Sequence, residues 1–149
     1  MHMSDALIRL GILILVILSI VALVQLGRLF IARQRKLALA AAPLSDSLDE
    51  NIVLSQGKVH VLAFSSADCT QCHTLQQPTL RRLQALRREE IDVVEIDAPS
   101  SPTLAKRYRI LTVPSTVVLN AAGEAYAVNY GFANVAKLQQ QIDAVLTTS

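Results

Sequence analysis

Eighteen consecutive residues without a charge, LGILILVILSIVALVQLG between Arg9 and Arg28, constrain this chain more than any other feature. As an α-helix they span roughly 27 Å, close to the hydrocarbon thickness of a bilayer. Leu29, Phe30, Ile31 and Ala32 extend the run, and Arg28 can snorkel to the interface. A core helix of a soluble domain rarely stays apolar on every face over such a length. The segment therefore reads as a membrane span or a signal sequence. It also accounts for much of the chain's mean hydropathy of +0.39, which is too apolar for a typical soluble domain.

A cleavable signal peptide has a basic start, an apolar core of about 7–15 residues and a small-residue cleavage site close behind. Here one Arg precedes the run, the run is longer, and Arg33, Arg35 and Lys36 follow it. Ala38-Leu39-Ala40 has the shape of a cleavage site but lies beyond that basic cluster. The expectation is an uncleaved transmembrane anchor over 1–32, a basic flank and linker over 33–46, and a folded domain over 47–149. Arg28, Arg33, Arg35 and Lys36 after the span outweigh Arg9 and the α-amino group before it. The Lys/Arg bias thus predicts a single-pass membrane protein with its domain in the cytoplasm, the extracytoplasmic side being the alternative.

Past the flank the chain changes character. Residues 1–36 carry five Lys/Arg against Asp5, whereas the remaining 113 carry nine Lys/Arg against eleven Asp/Glu. A net charge of +2, with the basicity confined to the N-terminal segment, excludes a strongly basic nucleic-acid binder. Two cysteines exclude a disulfide-rich scaffold and a four-thiolate zinc site.

Residues 33–47 read as a helix extension that stops near Pro43 and becomes a polar link, and Ser45 to Asn51 as a short helix. Gly57 introduces Lys58 to Phe64, a β-branched and apolar run of strand length. Thr70 to Glu90 is predicted helical, with Leu75, Leu80, Leu83 and Leu86 as its apolar stripe and Pro78 as a kink. Arg81, Arg82, Arg87 and Arg88 form its wet face, with Glu89 and Glu90 as local partners. Ile91 to Ile96 is a second strand, Pro102 to Arg109 a short helix and Ser115 to Leu119 a third strand. Asn120 to Gly123 reads as a hairpin turn into a fourth strand, Ala125 to Tyr130. Val135 to Leu146 closes the chain as a helix. The alternation implies an α/β sandwich with a mixed sheet. Val59, Val61, Val94, Ile96, Val117 and Leu119 are its expected interior, and His60 among them is expected to be structural.

The two cysteines, Cys69 and Cys72, fall between a predicted strand and the start of a predicted helix. A thiol at a helix N-terminus meets unpaired backbone N–H groups and the positive dipole end, which favour the thiolate. A second thiol one turn further in can attack the first and release a mixed disulfide. This placement points to redox chemistry.

Here the sequence resembles the thioredoxin family over residues 45–149. The resemblance rests on the strand–Cys69-Thr70-Gln71-Cys72–helix unit, on Thr112-Val113-Pro114-Ser115 before the third strand, and on Gly131 after the hairpin. It implies a thioredoxin-like three-layer sandwich with a mixed sheet, which the apolar run places after one N-terminal transmembrane helix. It also implies that Pro114 is cis and sits beside the active-site disulfide. Val113, just before it, then offers its backbone to a bound peptide.

The departures from the family pattern are specific. The usual Trp before the first cysteine is Asp68, which removes a flat apolar surface. Its charge opposes thiolate formation unless the side chain points to solvent. Thr70 and Gln71 replace the usual Gly-Pro between the cysteines. The family's buried acid, six residues before the first cysteine, is Ala63 here, so Cys72 either loses its proton through water, His73 or Glu95, or reacts more slowly. The kinking proline also lies one residue later than is common.

Cys69-Thr70-Gln71-Cys72-His73 also spells the c-type haem attachment signature, and the same three ligand types could hold a soft ion such as Cu(I). A haem iron usually takes a second axial ligand, often Met, yet Met1 and Met3 precede the span. A haem domain of this size is generally helical, whereas strands frame this motif. The reading is therefore a membrane-tethered thiol–disulfide oxidoreductase acting on protein cysteines. Its catalytic residues are Cys69 and Cys72, and Val113 and Pro114 bind substrate. Asp68, Thr70, Gln71 and His73 are expected to modulate the site. No metal site or cofactor is expected, and no flavin or nucleotide motif is present. Electrons would come from a partner, either a thioredoxin reductase-like protein or a membrane electron carrier. A non-enzymatic metal or electron carrier is the alternative.

Overall fold

The computed structural model describes residues 2–44, 52 and 54–148, so the short helix expected over Ser45 to Asn51 lies outside the described residues. The chain divides into two compact units, Met1–Gln34 and Arg35–Ser149. The first element is one long helix, α1 (His2–Leu39). Among the described residues it is the one helix long and apolar enough to cross a membrane, with a mean hydropathy of 2.8 and no burial in its most apolar stretch. A signal sequence meets the same criterion. Ser19 within the run donates its hydroxyl to the Leu15 carbonyl at 2.9 Å, so this polar group is satisfied without water.

The second unit is built on β1 (Val59–Ser65), β2 (Ile91–Asp97), β3 (Ser115–Leu119) and β4 (Ala125–Tyr130) in the order β2-β1-β3-β4. β1 runs parallel to β2 and antiparallel to β3, and β3 and β4 form an antiparallel hairpin. Successive side chains of β1 alternate between two cores. Val59, Val61 and Ala63 pack with Leu80 and Leu83 of α2 (Gln77–Leu86) and with Leu138, Ile142 and Val145 of α4 (Val135–Thr148). Leu62 and Phe64 face Val117, Leu119, Leu104 of α3 (Pro102–Arg107), Tyr108, Ala38 and Leu44. Helices on both faces of a mixed sheet make the three-layer sandwich. A strand buried on both sides has no polar face, which is why β1 reads as a nearly continuous apolar run. Leu83, Leu138 and Ile142 are fully buried, and each stabilises the fold by about 1.5–3 kcal/mol. Of the expected interior residues only Val94, on the edge strand β2, is half-buried rather than buried.

The largest differences from the sequence pattern lie in the helix after the cysteines. Helical backbone begins at Thr70, widens into a π turn over Cys72–Gln76, and continues as α2 only to Leu86. Pro78 has no N–H to give to the Thr74 carbonyl, and the wide turn just before it absorbs that defect. The π turn also rotates the apolar stripe. Leu75, expected inside, is exposed, and so is Leu86 at the helix end. The helix stops at Leu86 because Arg87 leaves helical geometry (φ −135°, ψ 34°). The Arg87 carbonyl then accepts from the N–H of Glu90 and of Ile91, reversing the chain into β2. Its guanidinium pairs with Glu90 and Asp143.

α3 ends two residues before the expected Arg109, because Arg109 itself adopts left-handed backbone at φ 54°. Ile110 N–H bonds to the Ala105 carbonyl and Arg109 N–H to the Lys106 carbonyl, the Schellman closure. In the β3–β4 turn, Asn120 Oδ1 accepts from the N–H of Ala122 and Glu124 at 3.0 and 2.9 Å. Gly123 has φ +78°, and a Cβ there would lie 2.6 Å from the Leu44 carbonyl oxygen. Only glycine admits the Leu44 N–H that bonds to its carbonyl at 2.9 Å.

His60 is 1% exposed near the start of β1, paired with Asp92 and Leu119. Among the described residues neither ring nitrogen has a hydrogen-bond partner. Desolvation holds the imidazole below its ordinary value of 6.5, although Asp92 and the nearby backbone of Ser55 and Asn120 draw it part of the way back. Above that ordinary value the folded and unfolded chains are both neutral here. Below it the unfolded chain takes up a proton that the folded chain refuses, so stability falls as pH drops toward the folded value. The denaturant midpoint of the full chain in detergent is expected to fall between about pH 7 and about pH 5, and His60→Leu to flatten that stretch. Parallel profiles for the two proteins would assign the effect to other groups.

Candidate active site

β1 ends at Ser65, and the Cys69 N–H closes a turn on the Ser66 carbonyl at 3.1 Å before the helix starts at Thr70. Cys69 and Cys72 are disulfide-bonded, with Cα atoms 5.2 Å apart. Their environments differ. Cys72 is 3% exposed, whereas Cys69 is partly exposed. The Cys72 N–H donates to Cys69 Sγ at 3.1 Å. A backbone donor on the sulfur, at a helix N-terminus, favours negative charge on Cys69 when the bond opens. An incoming thiolate can reach only the Cys69 sulfur directly, and Cys72 is then the leaving group.

The neighbouring residues are spread around this pair. Asp68, Thr70 and Gln71 are exposed. His73 is exposed, with its Nε2 3.2 Å from the Ala67 carbonyl. Among the described residues no three His, Cys, Asp or Glu side chains gather as a metal-binding group.

Pro114 is buried and Val113 half-buried, and the peptide bond between them is cis. Phe64 at the end of β1 pairs with Ser115 at the start of β3. That register brings the cysteine loop and the Val113–Pro114 segment to the same end of the sheet. The Pro114 carbonyl accepts from the Gly131 N–H at 2.9 Å, and Gly131 (φ +83°) turns the chain out of β4 there.

Sequence reasoning missed Gln76. It is 3% exposed, and its amide bonds reciprocally with the backbone of Ala133. Nε2 donates to the Ala133 carbonyl at 3.3 Å, and the Ala133 N–H donates to Oε1 at 3.0 Å. The pair ties the π turn to the loop after Gly131 and contributes about 1 kcal/mol per hydrogen bond. A signal did exist. Cys72, Gln76 and Leu80 recur at intervals of four, a helical stripe with one polar member.

A family model for a thioredoxin-like domain matches residues 47–146. Among solved structures, one described as a malarial protein is 24% identical, covering 60% of this chain and 98% of its own, with a TM-score of 0.54. Another, thioredoxin-2, described as a component of the malaria parasite protein secretion machinery, is 23% identical. That match covers 63% of this chain and 89% of the other, with a TM-score of 0.56. At such identities the likeness speaks for the fold. No curated protein matches the chain.

The difference in burial has a direct chemical readout. In the reduced full chain, iodoacetamide is expected to alkylate Cys69 at least about tenfold faster than Cys72. Peptide mass spectrometry over a time course measures both rates. Equal rates would contradict the assignment of Cys69 as the reactive sulfur.

Proposed function

The chain belongs to the thioredoxin-like domain family, and on that premise we propose that it is a membrane-tethered thiol–disulfide oxidoreductase acting on protein cysteines. The observation that carries this reading is the asymmetry of the pair: Cys69 partly exposed with a backbone N–H on its sulfur, Cys72 buried and bonded to it. In the reducing direction the Cys69 thiolate attacks a substrate disulfide, forms a mixed disulfide and expels one substrate thiolate. Cys72 then attacks the Cys69 sulfur, restores the Cys69–Cys72 bond and expels the second substrate sulfur. Two electrons pass from the cysteine pair to the substrate. The oxidising direction is the reverse sequence.

Val113 and Pro114 form the substrate groove in this reading, supported by their position at the same sheet end as the cysteine loop. Electrons come from a partner protein, a reductase of the thioredoxin type or a membrane carrier. The α1 helix serves as an uncleaved anchor, and the tether raises the effective concentration of membrane-bound substrates. The Lys/Arg excess after the apolar run favours a cytoplasmic domain.

Cys72→Ser removes the resolving nucleophile, so this variant is expected to accumulate reducible high-mass adducts in cells while Cys69→Ser accumulates few. Non-reducing electrophoresis compares them. Two variants without adducts would sink the exchange reading and favour a carrier of metal or haem.

Sidedness is read separately. An impermeant maleimide is expected to label reduced Cys69 only after lysis. Labelling in intact cells whose outer envelope admits the reagent would place the domain outside the cytoplasm.

A further inference from the structure

The buried thiol of the pair must lose a proton before it can attack. The geometry points to Glu95 as the group that accepts this proton, through one water in a cavity that Cys72 and Glu95 both line. The inference rests on the exchange reading above and adds to it the proton path of the resolving step.

β1 and β2 run parallel with Ala63 opposite Glu95. Paired residues of neighbouring strands point to the same face, and Ala63 belongs to the core under α2 and α4. The small Ala63 side chain leaves a cavity of about 20 Å³, whose walls include Ala63, Cys72, Gln76, Gln77, Leu80 and Glu95. A volume of that order holds about one water, provided polar partners surround it. Cys72, Gln77 and Glu95 supply them. Gln76 is less available, because both ends of its amide are engaged with Ala133.

Glu95 is held in place. Gln77 Nε2 lies 3.1 Å from its Oε2 and 3.5 Å from its Oε1, fixing the carboxylate beside the cavity. Glu95 is also exposed, so a proton received on the inner side can leave to bulk water. The other titratable groups nearby are otherwise occupied. His73 lines the cavity, but its Nε2 is turned to the Ala67 carbonyl at 3.2 Å. Asp97, two residues along β2, accepts the Ser100 N–H at 3.1 Å and the Ser100 hydroxyl. Asp68 is solvated in the loop before Cys69. No Lys or Arg is among the residues lining the cavity.

The step balances. With a substrate sulfur attached to Cys69, the Cys72 thiol gives its proton through the water to the Glu95 carboxylate. The Cys72 thiolate attacks the Cys69 sulfur, the Cys69–Cys72 bond forms, and the substrate leaves as a thiolate. Glu95 then releases the proton to solvent, where the departing thiolate can take it up.

One equivalent of dithiobis(nitrobenzoate), added to the reduced full chain in detergent, separates this step from the first. Attack by Cys69 releases one coloured thionitrobenzoate, and attack by Cys72 on the resulting mixed disulfide releases the second. Glu95→Gln keeps the shape of the side chain and a hydrogen bond to Gln77. It is expected to leave the first release unchanged and slow the second by about tenfold or more at neutral pH. The gap is expected to close as pH approaches the ordinary thiol range, where hydroxide removes the proton directly. His73→Gln is expected to leave the second release unchanged. Equal second releases in wild type and Glu95→Gln at every pH would overturn the inference. So would a loss shared equally by both releases, or a selective loss in His73→Gln instead. A wild type that gives only the first release would overturn the exchange reading itself, and this inference with it.

Discussion

In an ideal α-helix the Cys72 carbonyl would accept the N–H of Gln76, but here it accepts that of Gln77. The rest of the site depends on that one displaced hydrogen bond. It makes room for Pro78, which cannot donate, without ending the helix that carries the cysteines. It turns Gln76 inward to clamp Ala133, and it leaves Gln77 facing Glu95. The price is Leu75, which is moved out to solvent.

The clamp matters because the site is assembled from distant parts of the chain. The cysteine loop follows β1, Val113 and Pro114 precede β3, and Gly131 follows β4. Backbone pairing brings the first two together through Phe64 and Ser115, and the Gly131 N–H reaches the Pro114 carbonyl. Gln76 ties the helix to the third part. With these contacts in place, burial separates two chemically identical thiols into an accessible one and a protected one. The helix N-terminus then adds an electrostatic difference of the same sense. Together these make the two sulfurs of one disulfide chemically distinct.

The two units of the chain follow different rules. Over residues 8–32 of α1 apolar side chains are exposed on every face, while the Ser19 hydroxyl is satisfied within the helix. In the second unit the same kinds of side chain are buried on both faces of a sheet. Within that sheet the buried His60 has no hydrogen-bond partner among the described residues, a cost of the same packing.

Much of this was legible in the sequence. Local signals found the apolar helix, the four strands, the hairpin turn and the cysteine pair at a helix start, because periodicity, turn chemistry and spacing are properties of neighbouring residues. The ends of helices were less legible. Arg87 and Arg109 stop theirs through contacts and a backbone conformation that composition does not mark. Which cysteine is buried, that Gln76 faces inward, and that Ala63 and Glu95 stand side by side were decided by the tertiary structure alone. Each depends on strand register or on one residue of helical phase. Those quantities are set by the packing of segments far apart in the chain, and no local pattern carries them.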